Sequence, residues 1–305
     1  MTSETQHATP AEAPRPIPQE AFDWYDEYAH GLIDRRTFMS RLAGLGALGF
    51  SMSVLTASLL PNYAEAEQVS FNDPDIKATF TKFPSPKGYG DCQGYLVTPT
   101  NLKGKAPAVL VVHENRGLNP YVKDVARRLA KKGFIAFAPD ALYPLGGYPG
   151  NDDDGRAMQR SMDRAKLEED FIAAALFIKN HESSNGKLGA VGFCFGGYIV
   201  NMLAASIPDE LDAGVPYYGT PAAEALRPNV RGPLMLHFGG LDERVNATWP
   251  DYEKVLIAND ADYVAYFYDG VNHGFHNDST GRYAPEEAEL SWSRTIEFFE
   301  EKLSR

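Results

Sequence analysis

The chain has 305 residues, 44% of them hydrophobic and 23% charged, an ordinary globular composition. The formal net charge is −12, and no basic stripe interrupts it, which argues against nucleic acid as a partner. Only two cysteines occur, Cys92 and Cys194, and no zinc-spaced Cys/His cluster, so neither metal nor cofactor is expected.

Residues 1–66 read as an address. Ile33-Asp34-Arg35-Arg36-Thr37-Phe38-Met39 fits a twin-arginine core. A mildly apolar run follows from Leu42 to Leu60, weakened as a membrane span by its glycines and serines. Ala64-Glu65-Ala66 then offers a small-x-small cleavage site. The expectation is export of a precursor by the twin-arginine machinery to the periplasm or an equivalent compartment. Retention of the leader as an anchor is the alternative. Ala21 to His30, rich in aromatic and acidic residues, has no role in that reading. Substrates of this route cross already folded, so a cysteine can be buried before it meets an oxidising space. A Cys92–Cys194 disulfide is arithmetically available, but it would consume Cys194, whose surroundings point to a nucleophile below.

Residues 67–305 suit one large α/β domain. Ala78 to Phe83 and Gln93 to Thr98 alternate apolar and polar residues around a turn at Pro84 to Gly88, which predicts an antiparallel pair. Ala108 to Val112 reads as a buried strand and Tyr121 to Lys131 as a helix, stopped by Gly133. Phe134 to Ala138 is the next strand. Tyr143 to Gly155, rich in Gly, Pro, Asn and Asp, reads as a long loop on the site rim. Lys166 to Asn180 is helical. Lys187 to Val191 is a strand, Tyr198 to Ile207 a helix and Ala213 to Tyr218 a strand. Strands over Leu234 to Phe238 and Tyr263 to Tyr268 then alternate with helices over Asp251 to Ala258 and Glu286 to Lys302. This alternation implies a mostly parallel central sheet with helices on both faces.

The chemistry centres on Gly192-Phe193-Cys194-Phe195-Gly196-Gly197, between a strand and a helix. A sharp strand-to-helix turn strains its central residue and leaves no room for neighbouring side chains, hence the glycines. The turn lifts the nucleophile above the sheet and aims the first helical N–H groups at what it attacks. A base candidate, His273, and an acid candidate, Asp242, each follow a predicted strand, where α/β sheets place their chemistry. The order Cys194, Asp242, His273 is that of the α/β-hydrolase fold. His276 lies three residues beyond His273 and competes for the base. His113, His181 and His237 read as structural or surface residues. A lone buried cysteine is otherwise an inert small hydrophobe, and Asp242 an ordinary turn residue.

From about Val69 onward these motifs resemble the dienelactone hydrolase (carboxymethylenebutenolidase) family. The likeness includes the triad, Val111-Val112-His113-Glu114-Asn115-Arg116-Gly117-Leu118-Asn119, Phe137-Ala138-Pro139-Asp140 and Pro216-Tyr217-Tyr218-Gly219. An exported branch sharing the strings around Glu114 and His273 is the most similar. The resemblance implies that Glu114 contacts the resting thiol and is displaced when substrate binds. It also implies arginines that hold a substrate carboxylate. One should follow His273 closely, but this chain reads His276-Asn277-Asp278, with no arginine until Arg282. Arg116, Arg156, Arg160 and Arg164 are the other candidates, with Tyr143 on the rim.

The expected activity is a hydrolase that opens a lactone or cleaves an activated carboxylic ester through a Cys-His-Asp triad and a thioacyl intermediate. Backbone N–H groups of Phe195 and Asn115 would hold the oxyanion. Thioesters or small amides are alternative substrates, and a thiol redox sensor is an alternative class.

Overall fold

The computed structural model describes residues 17–304. Two compact units divide the chain between Leu59 and Leu60. In the first, α1 (Gln19–Ala29), α2 (Arg35–Gly44) and α3 (Met52–Leu59) are short helices. The aromatic, acidic stretch from Ala21 to His30 is α1. Its Ala21, Tyr25 and Tyr28 fall at helical spacing and are buried, and Tyr28 stacks on Phe38 of α2 with centroids 4.9 Å apart. The arginine pair opens α2, capped by the Asp34 carboxylate, which accepts from Thr37 N at 2.7 Å. The apolar run from Leu42 to Leu60 is not one helix, because a 3₁₀ turn over Leu45–Leu48 and Gly49 at φ 89° interrupt it. Residues 17–66 thus form short helices, and the first 16 residues of the expected signal region lie outside the described part. No helix among the described residues is long and apolar enough to cross a membrane.

The second unit opens with a short helix, α4 (Tyr63–Ala66), and continues through β1 (Ile76–Ser85), β2 (Gly90–Pro99), β3 (Ala106–Val112), α5 (Pro120–Lys131) and β4 (Ile135–Pro139). Then come α6 (Asp152–Ser161), α7 (Arg164–Lys179), β5 (Ser184–Phe193), α8 (Phe195–Ser206) and β6 (Ala213–Tyr217). The last elements are β7 (Leu234–Gly239), α9 (Glu243–Asn246), α10 (Trp249–Ala258), β8 (Tyr263–Tyr268) and α11 (Pro285–Leu303). The eight strands form one sheet in the order β1-β2-β4-β3-β5-β6-β7-β8. The pairs β1/β2 and β2/β4 are antiparallel, and every other pair is parallel. This is the α/β-hydrolase architecture.

Side-chain alternation along β3 explains the two layers. Ala108, Leu110 and Val112 join Phe171 and Ile178 of α7 and Ile199 and Leu203 of α8 in one core. Val109 and Val111 point the other way, to Val122, Val125 and Leu129 of α5 and Phe299 of α11. A strand covered on both faces reads as a continuous apolar run, which is why β3 to β7 were legible. Asn119 caps α5, its side chain accepting from Val122 N at 3.2 Å, and Pro120 fills the first turn where no N–H is needed.

The largest departure from the expected elements is α6. The span Tyr143 to Gly155 does not stay a loop to its end: Asn151 caps a helix that starts at Asp152 and runs to Ser161. Three acidic residues in its first turn suit a helix N-terminus. Gly155 lets α6 lie against the backbone of Arg116, since a Cβ there would stand 2.3 Å from the Arg116 carbonyl oxygen.

Candidate active site

β5 ends at Phe193 and α8 starts at Phe195, so Cys194 alone makes the turn, at φ 56° and ψ −110°. Non-glycine residues rarely adopt such a backbone, and the surrounding structure must enforce it. The glycines explain how. A Cβ on Gly192 would lie 2.1 Å from the Gly196 carbonyl oxygen, and one on Gly196 would lie 2.2 Å from that of Val112. A Cβ on Gly197 would meet the Tyr217 carbonyl oxygen at 2.6 Å. The three glycines therefore let α8 press onto the ends of β3 and β6. Cys194 N donates to the Tyr217 carbonyl at 3.0 Å, which ties the turn to β6.

Asp242 follows β7 and caps α9 with Oδ1, which accepts from Val245 N at 3.2 Å. Its Oδ2 lies 2.5 Å from Nδ1 of His273, which follows β8. Asp242 thus takes both the turn role and the histidine contact. Both side chains are buried, so the contact is poorly screened by solvent. Cys194 Sγ and a ring nitrogen of His273 lie within 4.8 Å of each other. Cys194 and Cys92 form no disulfide, and burial pushes the Cys92 thiol up to about 12.

His276, His113 and His237 are engaged elsewhere. His276 Nδ1 lies 2.7 Å from the Tyr121 hydroxyl, and burial lowers its pKa well below the usual value. His113 spans Glu114 O at 2.5 Å and Ala141 N at 3.3 Å. His237 lies between the hydroxyls of Tyr268 at 2.9 Å and Thr295 at 3.3 Å. Burial lowers His113 to about 4 and His237 to about 3. The unfolded chain protonates such groups near 6.5, whereas the fold refuses the proton until the lower value is reached. Stability is therefore lost as pH falls below 6.5. The variant His237→Gln removes one such proton, so its stability should fall less steeply between pH 6.5 and 4, by about 1.4 kcal/mol per pH unit. Urea unfolding of parent and variant at pH 7, 6 and 5 measures the difference, and parallel profiles would contradict it.

Glu114 leaves the end of β3 and is 1% exposed. Its Oε2 accepts from Asn277 Nδ2 at 3.1 Å and lies 3.8 Å from Arg116 Nη1. Arg116, also buried, donates to Asp152 Oδ2 at 2.8 Å. Asp152 further accepts from Tyr148 at 2.9 Å and from Tyr63 at 2.8 and 2.9 Å. Asn115 is half-buried beside this cluster, and Phe195 is buried at the first position of α8.

The remaining candidates are dispersed. Arg156 pairs with Asp153 at 2.5 Å, Arg160 is exposed at the end of α6, and Tyr143 is half-buried with Lys82 Nζ 5.9 Å from its ring centre. Arg164 lies over the Phe195 ring at 4.7 Å and donates to Glu168 at 2.9 Å. Sequence reasoning missed Asp152, Asn277, Tyr218 and the return of Arg282. The loop after His273 folds back so that the buried Arg282 guanidinium lies 2.9 Å from where a Cβ on Gly274 would stand. A count of residues after His273 could not reveal that return. A separate cavity of about 610 Å3, bordered by Tyr63, Phe80, Tyr95 and Tyr121, has none of Cys194, Asp242 or His273 in its lining.

The profile of the Dienelactone hydrolase family matches residues 92–303. The chain belongs to the dienelactone hydrolase family. It is a carboxylic ester hydrolase of that family. Protein usf of Aquifex pyrophilus is 34% identical over 222 residues, which are 70% of this chain and 94% of that protein. A carboxymethylenebutenolidase-like protein of Aquifex aeolicus (strain VF5) is 33% identical over 221 residues, 69% of this chain and 94% of its own. Among solved structures, m3DLH superposes with TM-score 0.67 at 25% identity, covering 75% of this chain and 99% of its own. The dienelactone hydrolase of Anabaena variabilis shares the fold at TM-score 0.59 and 19% identity, over 75% of this chain and 99% of that one. A second profile, YqhI-like, matches residues 10–47 and so spans α1 and α2.

Proposed function

We propose that this hydrolase works through Cys194, His273 and Asp242 and prefers neutral activated esters or lactones. One observation carries the reading: a strained elbow presents Cys194 within 4.8 Å of a histidine whose other side is fixed by a carboxylate at 2.5 Å. His273 takes the thiol proton as Sγ bonds to the substrate carbonyl carbon. The oxyanion is received by the N–H groups of Phe195 and Asn115. The carbon–oxygen ester bond breaks, and the leaving alkoxide takes the proton from His273. A water molecule, deprotonated by His273, then attacks the thioester and releases the acid and the thiolate. Asp242 holds the tautomer and stabilises the cation of His273. Glu114 disfavours the thiolate of the resting enzyme and moves away when substrate enters. The test is a panel of lactones and aryl esters of varied acyl length, with Cys194→Ala as the blank. Turnover retained in the blank would refute the mechanism.

The substrate preference follows from the partners of Arg116. Asp152 and Glu114 flank its guanidinium, so little net positive charge is left to draw a substrate carboxylate. Asn277 offers a neutral donor to Glu114. Acidic dienelactone should therefore bind less well than neutral esters. The variant Asp152→Asn unmasks Arg116 and should lower KM for an anionic ester about three- to tenfold, with little change for a neutral one. Steady-state kinetics on a matched acid and methyl-ester pair decide this, and equal responses would contradict it.

We also propose that the precursor follows the twin-arginine route, on the strength of Arg35-Arg36 and Ala64-Glu65-Ala66. Cleavage after Ala66 would remove Tyr63 from Asp152 and Asn119, to which it hydrogen-bonds. N-terminal sequencing of protein from the exported fraction should begin at Glu67, and Arg35→Lys with Arg36→Lys should block export. A first residue upstream of Glu67 would show that the Tyr63 contacts survive in the working enzyme.

A further inference from the structure

Tyr218 follows β6 immediately, in the left-handed region at φ 39°, a conformation that costs energy for an aromatic residue. Its backbone N–H donates to the His237 carbonyl at 2.7 Å. Its ring centre lies 4.8 Å from that of His273 and 5.6 Å from that of Phe275. The side chain is 1% exposed, and its hydroxyl hydrogen-bonds to none of the described residues. A buried hydroxyl without a partner is costly, so such a group in a native fold calls for a function.

The surroundings say what that hydroxyl serves. The groups that act on it electrostatically are Glu114, Cys194, Arg282 and Tyr217. Arg282 is a cation and only donates. The Glu114 carboxylate already receives Asn277 and faces Arg116. Cys194 remains as the group that gains acceptor strength during the reaction, when its thiol becomes a thiolate. Burial and the nearby anionic groups hold the phenol well above its ordinary pKa, so it keeps its proton and can donate it in a hydrogen bond.

We propose that Tyr218 is a further catalytic residue, whose hydroxyl donates a hydrogen bond to the Cys194 thiolate. This rests on the reading of Cys194 as the nucleophile. The thiolate forms when the thiol proton passes to His273, and the phenol then turns to sulfur without losing its own proton. The same bond makes the thiolate a good leaving group when the thioester collapses. It also offsets the repulsion that Glu114 exerts on the thiolate.

The test reads the thiol directly. Iodoacetamide alkylation of Cys194 is followed against pH in the parent and in Tyr218→Phe, with Cys194→Ala as the blank for Cys92. The charged and titratable groups around the sulfur and the phenol come from several elements. Within the second unit they include Glu114 and Arg116 after β3, Tyr121 of α5, Tyr217 of β6, Asp242 after β7, and His273 and Arg282 after β8. All are retained in Tyr218→Phe. The midpoint of alkylation should rise by about one pH unit, because a donor to the charged form is lost. Turnover of an aryl ester should fall about tenfold in kcat with KM little changed, because the bond forms only once the thiolate does. The melting temperature should not fall, since an unpartnered hydroxyl is what was removed. A merely structural role predicts the reverse pattern, a lower melting temperature with an unmoved midpoint. Should Tyr218→Phe fail to fold, a fluorotyrosine placed at position 218 strengthens the donor and should lower the midpoint. An unmoved midpoint in the folded variant overturns the proposal. Failure of the Cys194 reading itself appears separately, as ester turnover surviving in Cys194→Ala.

Discussion

Replacing Cys194 with alanine should reduce ester turnover by roughly four to six orders of magnitude while leaving the fold intact. Alanine keeps a Cβ, so the elbow carries the same backbone strain at φ 56° with either residue. His273→Ala should lose nearly as much, and the double variant little more, because nucleophile and base act as one unit. His276→Ala should cost far less activity. Its ring is committed to the Tyr121 hydroxyl and stacks on Phe193, away from Asp242. Circular dichroism and melting curves separate a lost nucleophile from a lost fold. Near-parent turnover in Cys194→Ala, or equal losses in His273→Ala and His276→Ala, would contradict the assignment.

The second large effect is on stability. Gly196→Ala forces a methyl group to within 2.2 Å of the Val112 carbonyl oxygen and 2.9 Å of that of His113. Both obstacles are backbone at the end of β3, so no side-chain rotation relieves them. The start of α8 must move off the sheet, at a cost of roughly 3–5 kcal/mol together with most of the activity. Gly186→Ala is the control. Its φ is positive, at +89°, unlike that of Gly196, and nothing stands within 4 Å of an added Cβ. It should cost only about 1–2 kcal/mol, the penalty of the left-handed backbone alone, and should spare turnover. Urea unfolding of both variants gives the comparison. Equal losses would contradict a governing role for the close approach of α8 to β3.

The strands and long helices of the second unit were legible because burial on both faces leaves unbroken apolar runs such as Val109 to Val112. The elbow was legible because its geometry admits so few residue types. The helix α6 was not, because its first turn, Asp152-Asp153-Asp154, has the composition of a loop and the tertiary contact at Gly155 settles its place. That miss hid the carboxylate that faces Arg116. The arginine question was likewise beyond a linear reading. Arg282 is distant along the chain but is brought back beside Gly274 by the folded loop. Tyr218 lay within a quoted motif, yet its unpartnered hydroxyl becomes visible only once its neighbours are in place. In the first unit, the twin-arginine string drew attention from the helical spacing of Ala21, Tyr25 and Tyr28, which packs α1 on Phe38.

The central claim is a covalent acyl–sulfur intermediate on Cys194, and trapping it is the most direct measurement. The enzyme is mixed with an activated aryl ester, quenched in acid within the first turnover, digested and analysed by mass spectrometry. The account predicts one acyl group per chain, on the peptide containing Cys194, removed by neutral hydroxylamine and absent in Cys194→Ala. An acyl group on another residue, or full ester turnover with no adduct at Cys194, would contradict it.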